Sequence, residues 1–123
     1  MKGSLVVGIG LSTSATTSDV AVAVDAALRS AGLLRTSVGW VATRNELAAD
    51  PRIVGLGLPV AGFSAARLAA VAVPNPSART ARAVGAASVA EAAAILGAGA
   101  SAELVVAKQR SGSVTVAVAR ISG

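Results

Sequence analysis

The chain has 123 residues and a formal net charge of +5, and 54% of its residues are hydrophobic although only 2% are aromatic. This length suits one domain with a single core, so we expect one domain over residues 1–123. The absence of His, Cys and Tyr excludes zinc or iron sites built from imidazole or thiolate, and it excludes Ser-His-Asp and Cys-His catalysis. We therefore expect no metal and no cofactor.

The basic residues are mostly arginines spread along the chain, with no basic cluster and almost no aromatic residue to stack on a base. This pattern argues against nucleic acid and favours a polyanionic small molecule, because the guanidinium fork donates two parallel hydrogen bonds to a carboxylate or phosphate. No apolar stretch reaches the roughly 20 residues of a membrane span. Lys2 and "LVVGIGL" form too short a segment for a signal peptide, so we expect a cytoplasmic protein.

The first half predicts alternating strands and helices. "SLVVGI" (residues 4–9) is typical of a strand covered on both faces, and residues 17–31 follow helical periodicity, with a Thr16/Asp19 capping box before them and Gly32 after them. "SVGWVAT" (37–43) predicts a second strand, followed by capping-box spacing at Thr43 and Glu46 and by Pro51 in a first helical turn. "PVAGF" (59–63) predicts a third strand, and Ser64 is placed to cap "AARLAAV".

The second half begins with an irregular segment, "VPNPSARTARAVGAA", in which two prolines flank Asn75. Ser88 and Glu91 form another capping box before "VAEAAAILGAG". "AELVVAK" (102–108) and "SVTVAVAR" (113–120) then predict two strands joined by a turn at "QRSG". The whole pattern predicts an α/β layered fold: a mostly parallel sheet of about five strands, an antiparallel C-terminal edge hairpin, and helices packed on the sheet.

The stretch "GIGLSTSATTSD" (8–19) is the first candidate for a binding site. In an open α/β sheet, ligands bind beyond the carboxyl ends of the strands, and here hydroxyls precede a helix N-terminus, which favours an anion. Simple helix capping with a solvated loop is an equal alternative, since capping alone accounts for half of these hydroxyl residues. The Gly-x-Gly is not a dinucleotide fingerprint and is weak evidence by itself. The candidate ligand-binding residues in this stretch are Gly8, Gly10, Ser12, Thr13 and Ser14.

Two further regions supply candidates. Lys108 ends a predicted strand, where it is either a ligand contact or a solvated strand end. The "PNPS" turn either stops a helix or holds Asn75 and Ser77 as rigid hydrogen-bond donors, with Arg79 and Arg82 following. The capping-box positions of Glu46 and Glu91 already account for both carboxylates, so we interpret both as structural.

These motifs together resemble the CobE family, equivalently the C-terminal domain of the CbiG proteins of cobalamin biosynthesis. The resemblance is carried by "GIG", "VAT" with "LAAD", "VPNPS", "VGAASVAEAAAIL" and "LVVAKQRSGSVTVAVAR". It implies a cytoplasmic protein of corrin-ring synthesis, and the free-standing single domain implies a binder of an anionic tetrapyrrole, a precorrin or a molecule like hydrogenobyrinic acid.

This chain departs from the family pattern at two places. The family usually has Cys-Arg where Leu11 and Ser12 stand, and it tends to have a lysine within the motif that is "LAAD" here. We therefore expect binding rather than catalysis, with Arg79, Arg82 and Lys108 pairing carboxylates. The alternatives are a hydrolase of a precorrin lactone, which would release acetaldehyde and use Asp50 or Glu91, and a subunit that docks on another corrin-pathway enzyme. The sequence leaves open which intermediate is bound and whether it holds cobalt.

Overall fold

A mixed five-stranded sheet forms the centre of the computed structural model, which describes residues 4–69, 89–99 and 102–121. Parallel pairs join the first three strands, and antiparallel pairs join the C-terminal hairpin to the first strand. The predicted α/β class and the antiparallel hairpin at the sheet edge are confirmed. The strands are β1 (Leu5–Leu11), β2 (Val38–Arg44), β3 (Val60–Phe63), β4 (Glu103–Ser111) and β5 (Val114–Arg120), in the spatial order β3-β2-β1-β5-β4.

Helices cover both faces of the sheet, so the described part of the chain has three layers. On one face the buried side chains of Leu5, Val7 and Ile9 pack with the apolar side of the first helix. On the other face Val6 packs with a run of alanines, residues 92–94. Because successive residues of a strand point to opposite faces, β1 supplies both cores. The helices are α1 (Thr17–Ser30), α2 (Pro51–Val54), α3 (Ala65–Ala69) and α4 (Val89–Ala98).

Most of the helix ends that the sequence predicts are present. The Thr16 hydroxyl accepts from the Asp19 N–H at 3.0 Å and the Asp19 carboxylate accepts from the Thr16 N–H at 3.0 Å, which completes the capping box of α1. Gly32 has φ = 68° just beyond this helix. Pro51 occupies the first turn of α2, and the Ser64 hydroxyl accepts from the third N–H of α3.

Thr43 does not cap a helix, contrary to the sequence-based expectation. It is a fully buried residue of β2 whose hydroxyl donates to the Ile9 carbonyl at 2.8 Å. Only a short 3₁₀ turn, Asn45–Leu47, follows the strand, and Glu46 is exposed there. The hydroxyl donates to a strand carbonyl instead of capping a helix because a buried donor needs a hydrogen-bond partner.

The turn of the C-terminal hairpin also differs from the prediction. β4 continues through Ser111, so the connection is Gly112 and Ser113 rather than residues 109–112. Gly112 has φ = 59°, which a two-residue hairpin turn favours and most side chains disfavour. Lys108 consequently lies inside the strand instead of at its end. Within the described ranges, no helix has the length and hydrophobicity that a membrane crossing requires.

Candidate functional site

A cavity of about 230 Å³ opens at the carboxyl ends of β1 and β2, on the face of the sheet that α4 covers. Gly10, Arg44 and Thr115 lie on the same face of the sheet as α4, because each is an even number of residues from a strand residue that packs against that helix. Those strand residues are Val6, Ala42 and Ala119. The first described residues of α4 close the inner side. The described lining residues are Gly10, Leu11, Ser12, Arg44, Val89, Ala90, Arg110, Ser113 and Thr115.

The described lining of this cavity carries positive charge. Arg44 ends β2 and Arg110 lies near the end of β4, so the two guanidinium groups come from opposite sides of β1. The described lining contains three hydroxyls, those of Ser12, Ser113 and Thr115, and no carboxylate. Neither arginine forms an ion pair within the described ranges. The arrangement therefore suits an anion, and paired arginines suit carboxylates in particular.

The hydroxyl-rich loop after β1 contributes to the cavity lining and also contacts the turn between β4 and β5. Ser12 lines the cavity, while the Ser14 hydroxyl lies 2.7 Å from that of Ser113 and 3.1 Å from that of Ser12. The Ser12 N–H also donates to the Ser113 carbonyl at 2.9 Å. These contacts tie the loop after β1 to the β4–β5 turn. Thr16 is occupied by capping, and Thr13 is exposed.

A second anchor holds the same loop from the side of α2. The Arg52 guanidinium donates to the carbonyls of Ser12 at 3.2 Å and Ala15 at 2.9 Å, and it pairs with both carboxylate oxygens of Asp50 at 2.9 and 2.7 Å. Asp50 also caps α2 by accepting from the Arg52 N–H at 2.9 Å. The hydrogen bonds from Arg52 lower the pKa of Asp50 to about 2.

The predicted site residues fall into three groups. Gly10 and Ser12 line the cavity, and Ser14 supports it through Ser113. Gly8 lies beneath α4 as a packing position, and Thr13 and Lys108 are exposed and do not contribute to the described lining. The remaining four predicted residues lie outside the described residues; they are Asn75, Ser77, Arg79 and Arg82.

Sequence reasoning missed Arg44, Arg110 and Thr115. Arg44 directly follows the predicted second strand, so the rule that pointed to the loop after β1 also applied to it. Thr115 lies between two of the alternating valines of "SVTVAVAR", so its side chain points to the opposite face of the sheet from theirs. Arg110 was hidden because its segment was assigned to the turn.

Glu91 makes a buried contact with β4 that the sequence did not predict. Its side chain is fully buried, and its Oε2 accepts from the Lys108 N–H at 3.0 Å across the boundary between α4 and β4. Within the described residues its Oε1 has no hydrogen-bond partner. The Ser88 half of the predicted capping box lies outside the described residues.

The fold and the cavity define a small three-layer α/β protein with a cationic pocket at the carboxyl ends of its parallel strands. The chain belongs to the cobalamin synthesis G C-terminus family, whose model matches residues 5–119. It is 34% identical to cobalamin biosynthesis protein chiG from Agrobacterium tumefaciens, with a TM-score of 0.71 over 97% of this chain and 99% of that one. It is 27% identical to CobE, a protein from the cobalamin biosynthetic pathway, with a TM-score of 0.73 over 96% and 90% of the two chains. A comparison with curated protein sequences finds no significant match. The resemblance inferred from the motifs is thus confirmed, and the chain is a member of a cobalamin biosynthesis protein family.

Proposed function

We propose that this protein binds a polycarboxylate tetrapyrrole intermediate of corrin-ring synthesis through the cavity lined by Arg44 and Arg110. The observation that carries the proposal is the convergence of two guanidinium groups and three hydroxyls on one cavity whose described lining has no carboxylate. Precorrins carry acetate and propionate arms around the rim of the ring. Two arginines on opposite sides of β1 would each take one arm, and the hydroxyls would donate further hydrogen bonds.

The chemistry of the site favours binding over hydrolysis. A lactone hydrolase would need a carboxylate to activate water, and the candidates from the sequence were Asp50 and Glu91. Both oxygens of Asp50 are engaged by Arg52, and a carboxyl whose pKa is about 2 is a weak base at neutral pH. Glu91 is fully buried and accepts a backbone N–H. Neither carboxylate lines the cavity among the described residues.

Substituting the two cavity arginines tests the proposal. We expect Arg44→Gln and Arg110→Gln each to weaken binding of hydrogenobyrinic acid roughly fivefold, because each removes one exposed guanidinium group that would pair with a carboxylate of the ligand. Absorbance titration of the corrin chromophore at two salt concentrations measures both the affinity and its screening. Wild-type affinity should fall as salt rises, and the double variant should have lost most of that dependence.

Arg29→Gln is the matched control. Arg29 is an exposed residue in the last turn of α1, and its substitution removes the same charge away from the cavity. It should leave the affinity within about twofold of wild type. The proposal fails if wild-type protein does not bind hydrogenobyrinic acid, or if the cavity variants bind as Arg29→Gln does. Release of acetaldehyde from a precorrin lactone by the isolated protein would establish the hydrolase alternative, and a stoichiometric complex with a corrin-pathway enzyme, without tetrapyrrole binding, would establish the docking alternative.

A further inference from the structure

The register between β4 and β5 shifts twice, first between Leu104 and Val106 and again between Val106 and Gln109, and the second shift lies just before Arg110. Val106 pairs with Val118 and Gln109 pairs with Val116, so the three-residue step along β4 opposes a two-residue step along β5. Such a β-bulge interrupts the ladder and leaves backbone groups without their regular partners. The residues of this second bulge are Ala107 and Lys108.

The bulge decides which side chain enters the cavity. Beyond it, Gln109 lies opposite Val116 and its amide donates to the Ser30 hydroxyl of α1 at 2.9 Å, whereas Arg110 lies opposite Thr115 and lines the cavity on the α4 side. A one-residue change of register sends every side chain to the other face of a sheet. A regular ladder continued from Val106 would therefore point Gln109 toward the cavity and Arg110 toward α1.

Glu91 contacts the bulge directly. Its Oε2 accepts the Lys108 N–H at 3.0 Å, and the carboxylate that does so is fully buried in the first turn of α4. A buried backbone N–H without an acceptor is costly, so an acceptor fixed at this point favours the bulged register over the regular one.

We infer that Glu91 is a positioning residue, whose carboxylate holds the β4 bulge at Ala107 and Lys108 and so places Arg110, rather than Gln109, in the cavity. This inference rests on the proposed function only for its expected effect on ligand binding. The role of Glu91 in setting the register of β4 does not depend on any ligand. Glu91 acts through Arg110 and takes no part in the cavity lining.

Register is the first readout, and it does not depend on any ligand. In wild-type protein, amide NMR should show a protected Lys108 N–H and a cross-strand contact between Gln109 and Val116. Glu91→Leu should lose both, with Gln109 moving opposite Thr115, while Glu91→Gln, which keeps an acceptor oxygen, should retain both. Unchanged protection and pairing in Glu91→Leu overturn the inference. If Glu91→Leu does not fold, the wild-type spectrum decides: rapid exchange of the Lys108 amide overturns it.

A double-mutant cycle supplies the second readout. Glu91→Leu should weaken hydrogenobyrinic acid binding roughly as much as Arg110→Gln does, about fivefold, and Arg110→Gln should then add less than about twofold in the Glu91→Leu background. Arg44→Gln should still cost its full factor there, since Arg44 lies on β2 and is independent of the bulge. Equal costs of Arg110→Gln in both backgrounds contradict the inference. Failure of wild-type binding removes the proposed function but leaves the register measurement to decide the role of Glu91.

Discussion

Gly8→Ala is expected to destabilise the protein by about 3 kcal/mol, lowering Tm by roughly 10 °C. A Cβ at this position would lie 2.7 Å from the Ala94 nitrogen and closer still to the Ala90 carbonyl oxygen, and both atoms belong to the backbone of α4. Backbone atoms within a helix cannot rotate away as a flexible side chain can. The methyl group must therefore push α4 off the sheet, with loss of its alanine contacts to Val6.

Gly10→Ala is the matched control for this measurement. Gly10 lies two residues further along β1, on the same face, and a Cβ there meets no atom within 4 Å. Both substitutions stiffen the unfolded chain equally, so that contribution cancels in the comparison. Thermal unfolding followed by Trp40 fluorescence measures both variants. Equal Tm values for the two alanine variants would show that α4 does not depend on the close approach.

The close approach itself could not have been predicted from the sequence. The sequence predicts Gly8 as a ligand-binding residue because it belongs to the stretch in which hydroxyls precede a helix N-terminus. The packing at Gly8 is set by a helix that starts about 80 residues later in the chain, whose alanines allow the two backbones to meet. Local signals, in contrast, predicted well: the capping box at Thr16 and Asp19 and the left-handed Gly32 depend only on neighbouring residues.

In the candidate site, too, local signals predict some residues, whereas others depend on contacts that are distant in the sequence. The rule about carboxyl ends of strands points to Gly10 and Ser12, which line the cavity, because the rule depends only on strand direction. The position of Arg110 in the cavity could not be predicted, because the face of the sheet on which its side chain lies depends on the bulge at Lys108, where α4 supplies a hydrogen-bond acceptor. A non-periodic insertion in an edge strand leaves no alternating pattern to detect. If Glu91 positions the bulge as we infer, tertiary hydrogen bonding rather than propensity places this arginine in the cavity.

Asp50→Asn is expected to lower Tm at pH 7 by roughly 5 °C, because asparagine can still cap α2 but cannot form the paired charge-assisted bonds to Arg52. The pKa of Asp50 in the folded protein is about 2, below its ordinary value of 3.8. A carboxyl whose pKa is lowered by folding stabilises the protein above its ordinary pKa and loses that contribution as pH falls through the folded value. The Tm difference between wild type and variant should thus be constant above about pH 5 and should shrink between about pH 4 and pH 2.

Asp25→Asn separates this effect from the general loss of an acidic residue. Asp25 pairs with Arg35 at 3.5 Å, with side chains 48% and 41% exposed, so its removal should change Tm by about 1 °C or less at any of these pH values. Thermal unfolding at pH 7, 4 and 2.5 makes the comparison. A pH-independent Tm difference for Asp50→Asn would mean that the pair with Arg52 contributes nothing to stability. In that case α2 would hold the hydroxyl loop only through the hydrogen bonds from Arg52 to the Ser12 and Ala15 carbonyls, without help from the charge of Asp50.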